Sequence, residues 1–169
     1  YPGETLLNKK VGVIGFGNIG KKIIEMTQGF KTINYVNDIK KINLNFFKKF
    51  KIKSKTKKFI FNNCDIIIIA TDLNTSSFNI INKKTINDFK NNPLIVNIGR
   101  GGSIDSKALL QCLKKKKIRG ACLDVFDVEP LAKNSLFKKY TNCILSSHNA
   151  FNTKDEVEFV NRNTLNNIF

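Results

Sequence analysis

The sequence predicts an α/β fold, doubly wound about a mainly parallel sheet, and three observations carry that prediction. Short apolar runs alternate with amphipathic ones along the chain, the pattern of strands crossed by helices. The run from Ile66 to Ala70 is apolar on both faces, as a central parallel strand must be. A glycine-rich turn, Gly15-Phe16-Gly17-Asn18-Ile19-Gly20, stands between the first apolar run and the first helical pattern.

The elements follow in order. Residues 10–15 form a short apolar strand ending in glycine. Residues 18–28 read as a helix, with Ile19, Ile23, Ile24 and Met26 as its inward face and Gly29 placed to end or loosen it. Residues 31–37 are a second strand, and 39–50 are ambiguous, read as one helix. Residues 64–71 form a third strand, 85–90 a short helix and 93–98 a fourth strand. Asp105 is a helix N-cap before 106–117, where the run Lys114 to Lys117 suits the negative helix end. Residues 120–126 and 142–146 add two strands, and 152–169 close the chain as a helix. The sheet should hold about six or seven strands. No internal repeat and no flexible linker interrupts the series.

Length and composition fit that architecture. The 169 residues, 41% hydrophobic and 25% charged, suffice for one domain with a real core and are short for two. The apolar runs are too short to span a membrane, and the first residues, Tyr1-Pro2-Gly3-Glu4, lack the basic and apolar regions of a signal peptide. The cysteines at 64, 112, 122 and 143 form no CxxC pair, and there is one His; no metal site is expected. Reduced thiols in the cytoplasm fit best.

The charge is unusual. Lys and Arg number 29 against 13 Asp and Glu, a net +16, yet only Arg100, Arg119 and Arg162 are arginines. A polyanionic partner and simple drift toward Lys, Asn, Ile and Phe both account for it. The second is favoured, because readers of nucleic acid lean on arginine; nucleic acid is therefore not the expected partner. Between Asp38 and Asp65 there is no acid, while Lys40, Lys41, Lys48, Lys49, Lys51, Lys53, Lys55, Lys57 and Lys58 are basic. The alternation at 51, 53, 55 and 57 puts four lysines on one face of an extended segment, a solvated edge that resists edge-to-edge pairing or a patch for a partner.

The glycine turn carries chemistry. GxGxxG after a strand and opening a helix lets the backbone turn tightly, approach a pyrophosphate and pack helix on strand, with the phosphates at the positive helix end. Asp38, 18 residues past Gly20 at the end of the second strand, is placed to accept hydrogen bonds from a ribose 2′-hydroxyl and to repel a 2′-phosphate. The reading is a dinucleotide site that prefers NAD. Lys40 and Lys41 partly offset the Asp38 charge and leave NADP open.

A second block lies at the later strand ends. Arg100, in Val96-Asn97-Ile98-Gly99-Arg100-Gly101-Gly102, is a lone arginine among glycines at the carboxyl end of a strand. Its planar fork suits a carboxylate. Asp124 ends the next strand in Ala121-Cys122-Leu123-Asp124-Val125-Phe126-Asp127-Val128-Glu129-Pro130, near the cofactor. His148, in Ser146-Ser147-His148-Asn149-Ala150, is the natural group to move a proton near neutrality, with Glu129 the candidate to orient its imidazole.

With these motifs in order, the sequence resembles the D-isomer-specific 2-hydroxyacid dehydrogenases, among them phosphoglycerate dehydrogenase, glyoxylate and hydroxypyruvate reductases and D-lactate dehydrogenase. The likeness runs from Gly3-Glu4-Thr5-Leu6 through the glycine turn. It continues through Asn97 to Asp105, similar to the family's arginine signature, and Ala121 to Pro130, similar to its aspartate-glutamate signature. Ser147-His148-Asn149-Ala150-Phe151-Asn152-Thr153 is similar to its histidine signature. The resemblance implies a Rossmann domain of an NAD-dependent oxidoreductase that interconverts 2-oxo acids and D-2-hydroxy acids. It implies Arg100 on the substrate carboxylate and carbonyl, His148 as acid/base, Glu129 as its partner and Asp124 at the nicotinamide end. It implies cofactor contacts from Gly15, Gly17, Asn18, Ile19, Gly20, Asp38, Thr71, Asn74, Ile98, Gly99, Arg100, Asp124 and His148, and a homodimer. The alternative is a dehydrogenase-like protein that senses NAD(H) and acts through protein or nucleic-acid association.

The chain departs from the family in three places. Thr71-Asp72-Leu73-Asn74-Thr75-Ser76-Ser77 stands where a Leu-Pro-Leu-Thr-like segment is common, with Asp72 for Pro and Asn74 for Thr. The interval from Glu129 to His148 is short. The family's substrate-binding domain has no counterpart in residues 1–169, so the chain reads as a cofactor domain alone.

Overall fold

The computed structural model describes residues 3–168. The readings of Tyr1 and Pro2 as free of a signal, and of Phe169 as helical, lie outside them. Seven strands form one sheet: β1 (Lys10–Ile14), β2 (Ile33–Asn37), β3 (Lys53–Ser54), β4 (Ile66–Ile69), β5 (Leu94–Asn97), β6 (Gly120–Leu123) and β7 (Cys143–Leu145). Their order is β3-β2-β1-β4-β5-β6-β7 and every pairing is parallel, the doubly wound architecture expected. Val13 lies opposite Val36 on one side and Ile68 on the other. The strand order reverses between β1 and β4, and a crevice opens at such a switch point beyond the carboxyl ends of the strands.

Helices α1 (Asn18–Gln28), α2 (Leu44–Phe50), α3 (Lys57–Asn63) and α4 (Ser106–Lys114) cover the two faces, and α5 (Lys154–Ile168) is exposed over residues 154–165. Alternation along the strands splits the core in two. Val11, Val13 and Val36 meet Ile24, Phe50 and Ile52 on one face. Ile14, Ile67, Ile69 and Ile95 meet Ile60, Phe61 and Leu109 on the other. A fully buried isoleucine of this kind contributes about 1.5–3 kcal/mol.

Several elements differ from expectation for local reasons. Only Ile23 and Ile24 of the four apolar residues of α1 turn inward; Ile19 and Met26 are exposed. Gly20, Ile24 and Thr27 centre the covered face, and positions 19 and 26 lie roughly 100° round the helix from it. Residues 39–43 are not helical: Asn43 caps α2 by accepting from the Asn45 amide. The supposed extended lysine face is broken at both ends, because Lys51 takes a left-handed conformation with φ 46° and Lys57 opens α3. Thr56 caps that helix, its side chain accepting from Phe59 N. What remains extended is β3, the exposed edge strand. Residues 85–87 are a 3-10 turn. Asp105 caps α4 as predicted, accepting from Lys107 and Ala108. That helix stops early because Lys116 turns left-handed at φ 53°, where the amides of Lys116 and Lys117 satisfy Leu113 and Cys112 carbonyls.

No helix among the described residues is long and apolar enough to cross a membrane. Burial pushes the thiols of Cys64 and Cys112 up to about 12 and about 11.

Candidate active site

The glycine turn leaves β1 at Ile14. Gly15 has φ +96°, and a side-chain carbon there would meet the Ala70 carbonyl oxygen at 2.5 Å, so only glycine fits. A carbon on Gly20 would strike the Gly15 carbonyl, which is why α1 can pack against the turn. Gly17 differs: nothing lies within 4 Å of where its side chain would be. It opens α1 with extended backbone and no side-chain cap. This leaves a helix N-terminus facing free space, the arrangement that receives a pyrophosphate.

Around that space lies a cavity of about 490 Å³, lined by the glycine turn, Asn18, Lys21, Asp38, Lys40, Lys41, Phe46, Lys57, Thr71 and Asn74, among others. Asp38 follows β2 directly, and its carboxylate is engaged twice by backbone. Oδ2 accepts from Phe16 N at 2.6 Å and Oδ1 from Lys40 N at 2.7 Å. The acid thereby ties the glycine turn to the end of β2. Each oxygen keeps a lone pair, so a ribose hydroxyl can still donate to it. The open Gly17 position, the free helix end and the acid together fit a dinucleotide.

The segment after β4 closes on itself despite lacking the family's Pro and Thr. Ser77 Oγ donates to the Asp72 carbonyl at 2.5 Å and accepts from Asn74 N at 2.7 Å. Asn74 Oδ1 accepts from Ser76 N and Ser76 Oγ. Ser77, unmarked in the sequence reading, is what closes this turn.

The other sequence-predicted residues do not line this cavity. Ile19 is exposed on α1, Gly20 lies beneath the turn, and Ile98, Gly99, Arg100, Asp124 and His148 stand along the ends of β5 to β7. Gly99 passes so close to Thr71 that a side-chain carbon would meet its carbonyl at 2.6 Å. Asn97, missed from sequence, is 1% exposed. It sets this turn, accepting from Gly99 N at 3.2 Å and donating to the Arg100 carbonyl at 3.1 Å. Arg100 is exposed, with Nη1 donating to Gly99 O at 2.7 Å.

Glu129 and His148 meet, the short interval between them notwithstanding. Glu129 Oε2 lies 2.8 Å from His148 Nδ1, and Oε1 accepts from Phe126 N at 2.8 Å. The Phe126 amide first, then the imidazole, hold the Glu129 carboxyl below its ordinary range. With Nδ1 engaged, Nε2 is the ring nitrogen left for chemistry. His148 itself sits at φ 56°, and Asp124 holds it there. The Asp124 carboxylate accepts from Ser146 Oγ at 2.6 Å, Asn149 N at 3.0 Å and Ala150 N at 3.1 Å. Its carbonyl accepts from His148 N at 2.8 Å. Burial pushes the Asp124 carboxyl up, but the Ser146 hydroxyl, the two amides and the nearby imidazole outweigh it and hold it low. Expected near the nicotinamide, Asp124 is seen gripping the histidine segment. Among the described residues no cluster of His, Cys, Asp or Glu could hold a metal.

Residues 1–150 match the family described as "D-isomer specific 2-hydroxyacid dehydrogenase, NAD binding domain". The chain is 35% identical over 136 residues to a D-3-phosphoglycerate dehydrogenase of Bacillus subtilis, covering 80% of this chain and 26% of that one. It is 31% identical over 149 residues to a glyoxylate reductase of Pyrococcus horikoshii, covering 88% and 44%. The apo-structure of D-lactate dehydrogenase from Escherichia coli superposes with a TM-score of 0.88 at 26% identity, covering 98% of this chain and 52% of that one. The chain thus spans between a quarter and about half the length of these relatives. All three are named as dehydrogenases or reductases, which leaves the alternative of a sensing and binding protein without support.

Proposed function

Because the chain belongs to the D-isomer-specific 2-hydroxyacid dehydrogenases and carries their NAD-binding domain, we propose that the full-length protein reduces a small 2-oxo acid to the D-2-hydroxy acid, and runs the reverse reaction, with NAD(H). The single observation that carries the reading is the Glu129–His148 contact at 2.8 Å on the same sheet edge as the dinucleotide cavity. Bound NADH would supply the hydride. The glycine turn, Asn18, Asp38, Thr71 and Asn74 hold the cofactor along the switch-point crevice.

His148 Nε2 gives the proton to the carbonyl oxygen of the 2-oxo acid. Glu129 fixes the ring so that Nε2 faces out, and Asp124 fixes the segment that bears the ring. The Arg100 guanidinium takes the substrate carboxylate in two parallel hydrogen bonds and polarises the carbonyl. Arg100 lies exposed and His148 partly so, so the reading includes a second wall, supplied from outside residues 1–169, that covers the substrate and excludes water. A homodimer rests on the family resemblance and a cytoplasmic location on the four free cysteines; sedimentation of the full-length protein tests the first.

The test of function is NADH oxidation by the full-length protein over a panel that includes glyoxylate, hydroxypyruvate and pyruvate. The expected result is turnover of at least one acid, with D-stereochemistry in the product. NADH binding with no turnover of any 2-oxo acid would sink the reading.

A further inference from the structure

Nine lysines lie between Asp38 and Asp65. Eight are exposed, and Lys57 alone is half-buried. Among the described residues it is also the one of the nine whose ammonium donates a hydrogen bond, from Nζ to the Ser76 carbonyl at 2.7 Å. Both partners line the dinucleotide cavity with Asp38. We propose that Lys57 is an adenosine-positioning residue, its ammonium fixed on Ser76 so that its remaining protons meet acceptors of the cofactor's adenosine half. The inference rests on the NAD(H) reading above and names a contact which that reading does not contain.

The placement argues for the adenosine end. The cavity is walled by the residues after β1, after β2 and after β4, with Lys57 entering at the top of α3. Arg100, Asp124 and His148 do not line it. The half of the cofactor beside Asp38 is the adenosine half, because Asp38 is the ribose acid. Adenine ring nitrogens and ribose oxygens accept hydrogen bonds. An ammonium carries three donors and no acceptor, so one bond to Ser76 leaves two for the ligand.

Lys57 is also not placed for the sake of its helix, which Thr56 already caps. Lys57 is the first residue of α3, whose first turn holds no acid, and a cation there opposes the positive end of the helix. A local rule broken at the wall of a site is where function is expected. The anchor is itself held: Ser76 N and Oγ both donate to Asn74 Oδ1. A lysine already tethered in the free protein loses less side-chain freedom when the ligand arrives. Of the eight other lysines, Lys40 and Lys41 also line the cavity, without an ammonium hydrogen bond among the described residues, and the remaining six fit the solvated edge expected from sequence.

The experiment is titration of the wild type, Lys57→Met, Lys57→Arg and Lys58→Met with NADH and with AMP, alongside melting temperatures. Wild type should bind both ligands. Lys57→Met should weaken both by about tenfold, equal to about 1.4 kcal/mol, without a matching fall in melting temperature. Lys57→Arg, which can still reach a carbonyl and donate, should recover most of the loss, and Lys58→Met should do little. The proposal is overturned if Lys57→Met binds AMP as wild type does, or if Lys58→Met is as weak, which makes the effect one of bulk charge. It is also overturned if Lys57→Arg fails as badly with a lowered melting temperature, which makes the tie a strap for α3. Should Lys57→Met not fold, Lys57→Gln against Lys57→Arg makes the same comparison. A wild type that binds neither ligand removes the NAD(H) reading and this inference together; a wild type that binds with an indifferent Lys57 removes this inference only.

Discussion

The cavity below β1, β2 and β4 and the rim carried by β5, β6 and β7 share one sheet edge but hold their groups by different means. In the cavity, backbone holds side chain: Asp38 is tied to the amides of Phe16 and Lys40, and the walls come from three strand ends and the helices between them. On the rim, contacts between side chains are added to the backbone ones. His148 depends on Glu129, and its segment on Asp124. Arg100 reaches only the carbonyl of its neighbour Gly99. The side chains of His148 and Glu129 remain 40% and 35% exposed. The cavity takes its walls from these residues, whereas under the proposed function the rim is one side of a cleft. Cofactor affinity should therefore be a property of these residues alone, and turnover should not.

The largest expected effect tests that separation directly. Residues 1–169 expressed alone should bind NADH but reduce 2-oxo acids far more slowly than the full-length protein. Holding substrate in reacting geometry can supply about 7–11 kcal/mol of the barrier, and water weakens the contact of an exposed Arg100. Calorimetry with NADH and a reductase assay on one sample settle the matter. Robust turnover by the short chain would break the comparison from one side, and loss of NADH binding from the other.

Next come substitutions on the rim, made in the full-length protein. His148→Gln should lower kcat by about 10²–10⁴-fold, the usual worth of a positioned proton donor, with NADH affinity nearly unchanged. Glu129→Gln should cut kcat less, since it loosens the ring without removing it. Arg100→Lys keeps the charge and loses the fork, so kcat/KM for the 2-oxo acid should fall by about one to two orders of magnitude. A rim variant that loses NADH binding as fast as turnover would show the two regions to be one.

In the cavity the expected effects are smaller and of opposite kind. Asp38→Ala should weaken NADH by about 1–3 kcal/mol, through the lost ribose contact and the released Phe16 amide, and should narrow the margin over NADPH. Wild type binding NADPH as tightly as NADH would take Asp38 out of the ribose site.

The contrast also explains what could be read from sequence. The cavity's essentials are backbone demands, and backbone demands write themselves as glycine: Gly15 for its positive φ, Gly20 for close packing, Gly17 for open space. Strand cores such as Ile66 to Ile69 were equally legible, because a strand buried on both faces has one composition. The rim was legible through residue rarity, with a lone His and an isolated Arg at strand ends. What escaped was decided by small polar side chains acting locally. The α3 start at Thr56 was hidden in a lysine-rich run whose alternation imitates a strand, although a Thr shortly before the apolar Phe59-Ile60-Phe61 is a capping signal. Asn97, Ser77 and Ser146 are common residues whose roles arise only when neighbours 2, 5 and 22 positions away close on them. The exposed Ile19 and Met26 show the remaining weakness: apolar spacing locates a stripe, and the sheet decides which side of it is covered.

The smallest expected effect separates the two regions within one folded molecule. Asp38 and Asp124 each hold backbone amides, one under the cavity and one under the rim. Asp124→Asn replaces one acceptor oxygen by a donor that faces the amide of either Asn149, on Oδ1, or Ala150, on Oδ2, and should remove about 1–2 kcal/mol of local stability. Hydrogen exchange at Asn149 and Ala150 should quicken while exchange at Phe16, which donates to Asp38, stays as in wild type. The Asp124 carboxyl is held below its ordinary value of 3.8 in the folded protein. Its stabilising contribution is therefore whole above that pH and drains away as the pH falls through the lower folded value. The gap between wild type and Asp124→Asn should close over that range, because the wild-type acid is then protonated too. Equal quickening at Phe16 would mean that Asp124 supports the whole domain, and no quickening at Asn149 would mean that the histidine segment is held by something other than this carboxylate.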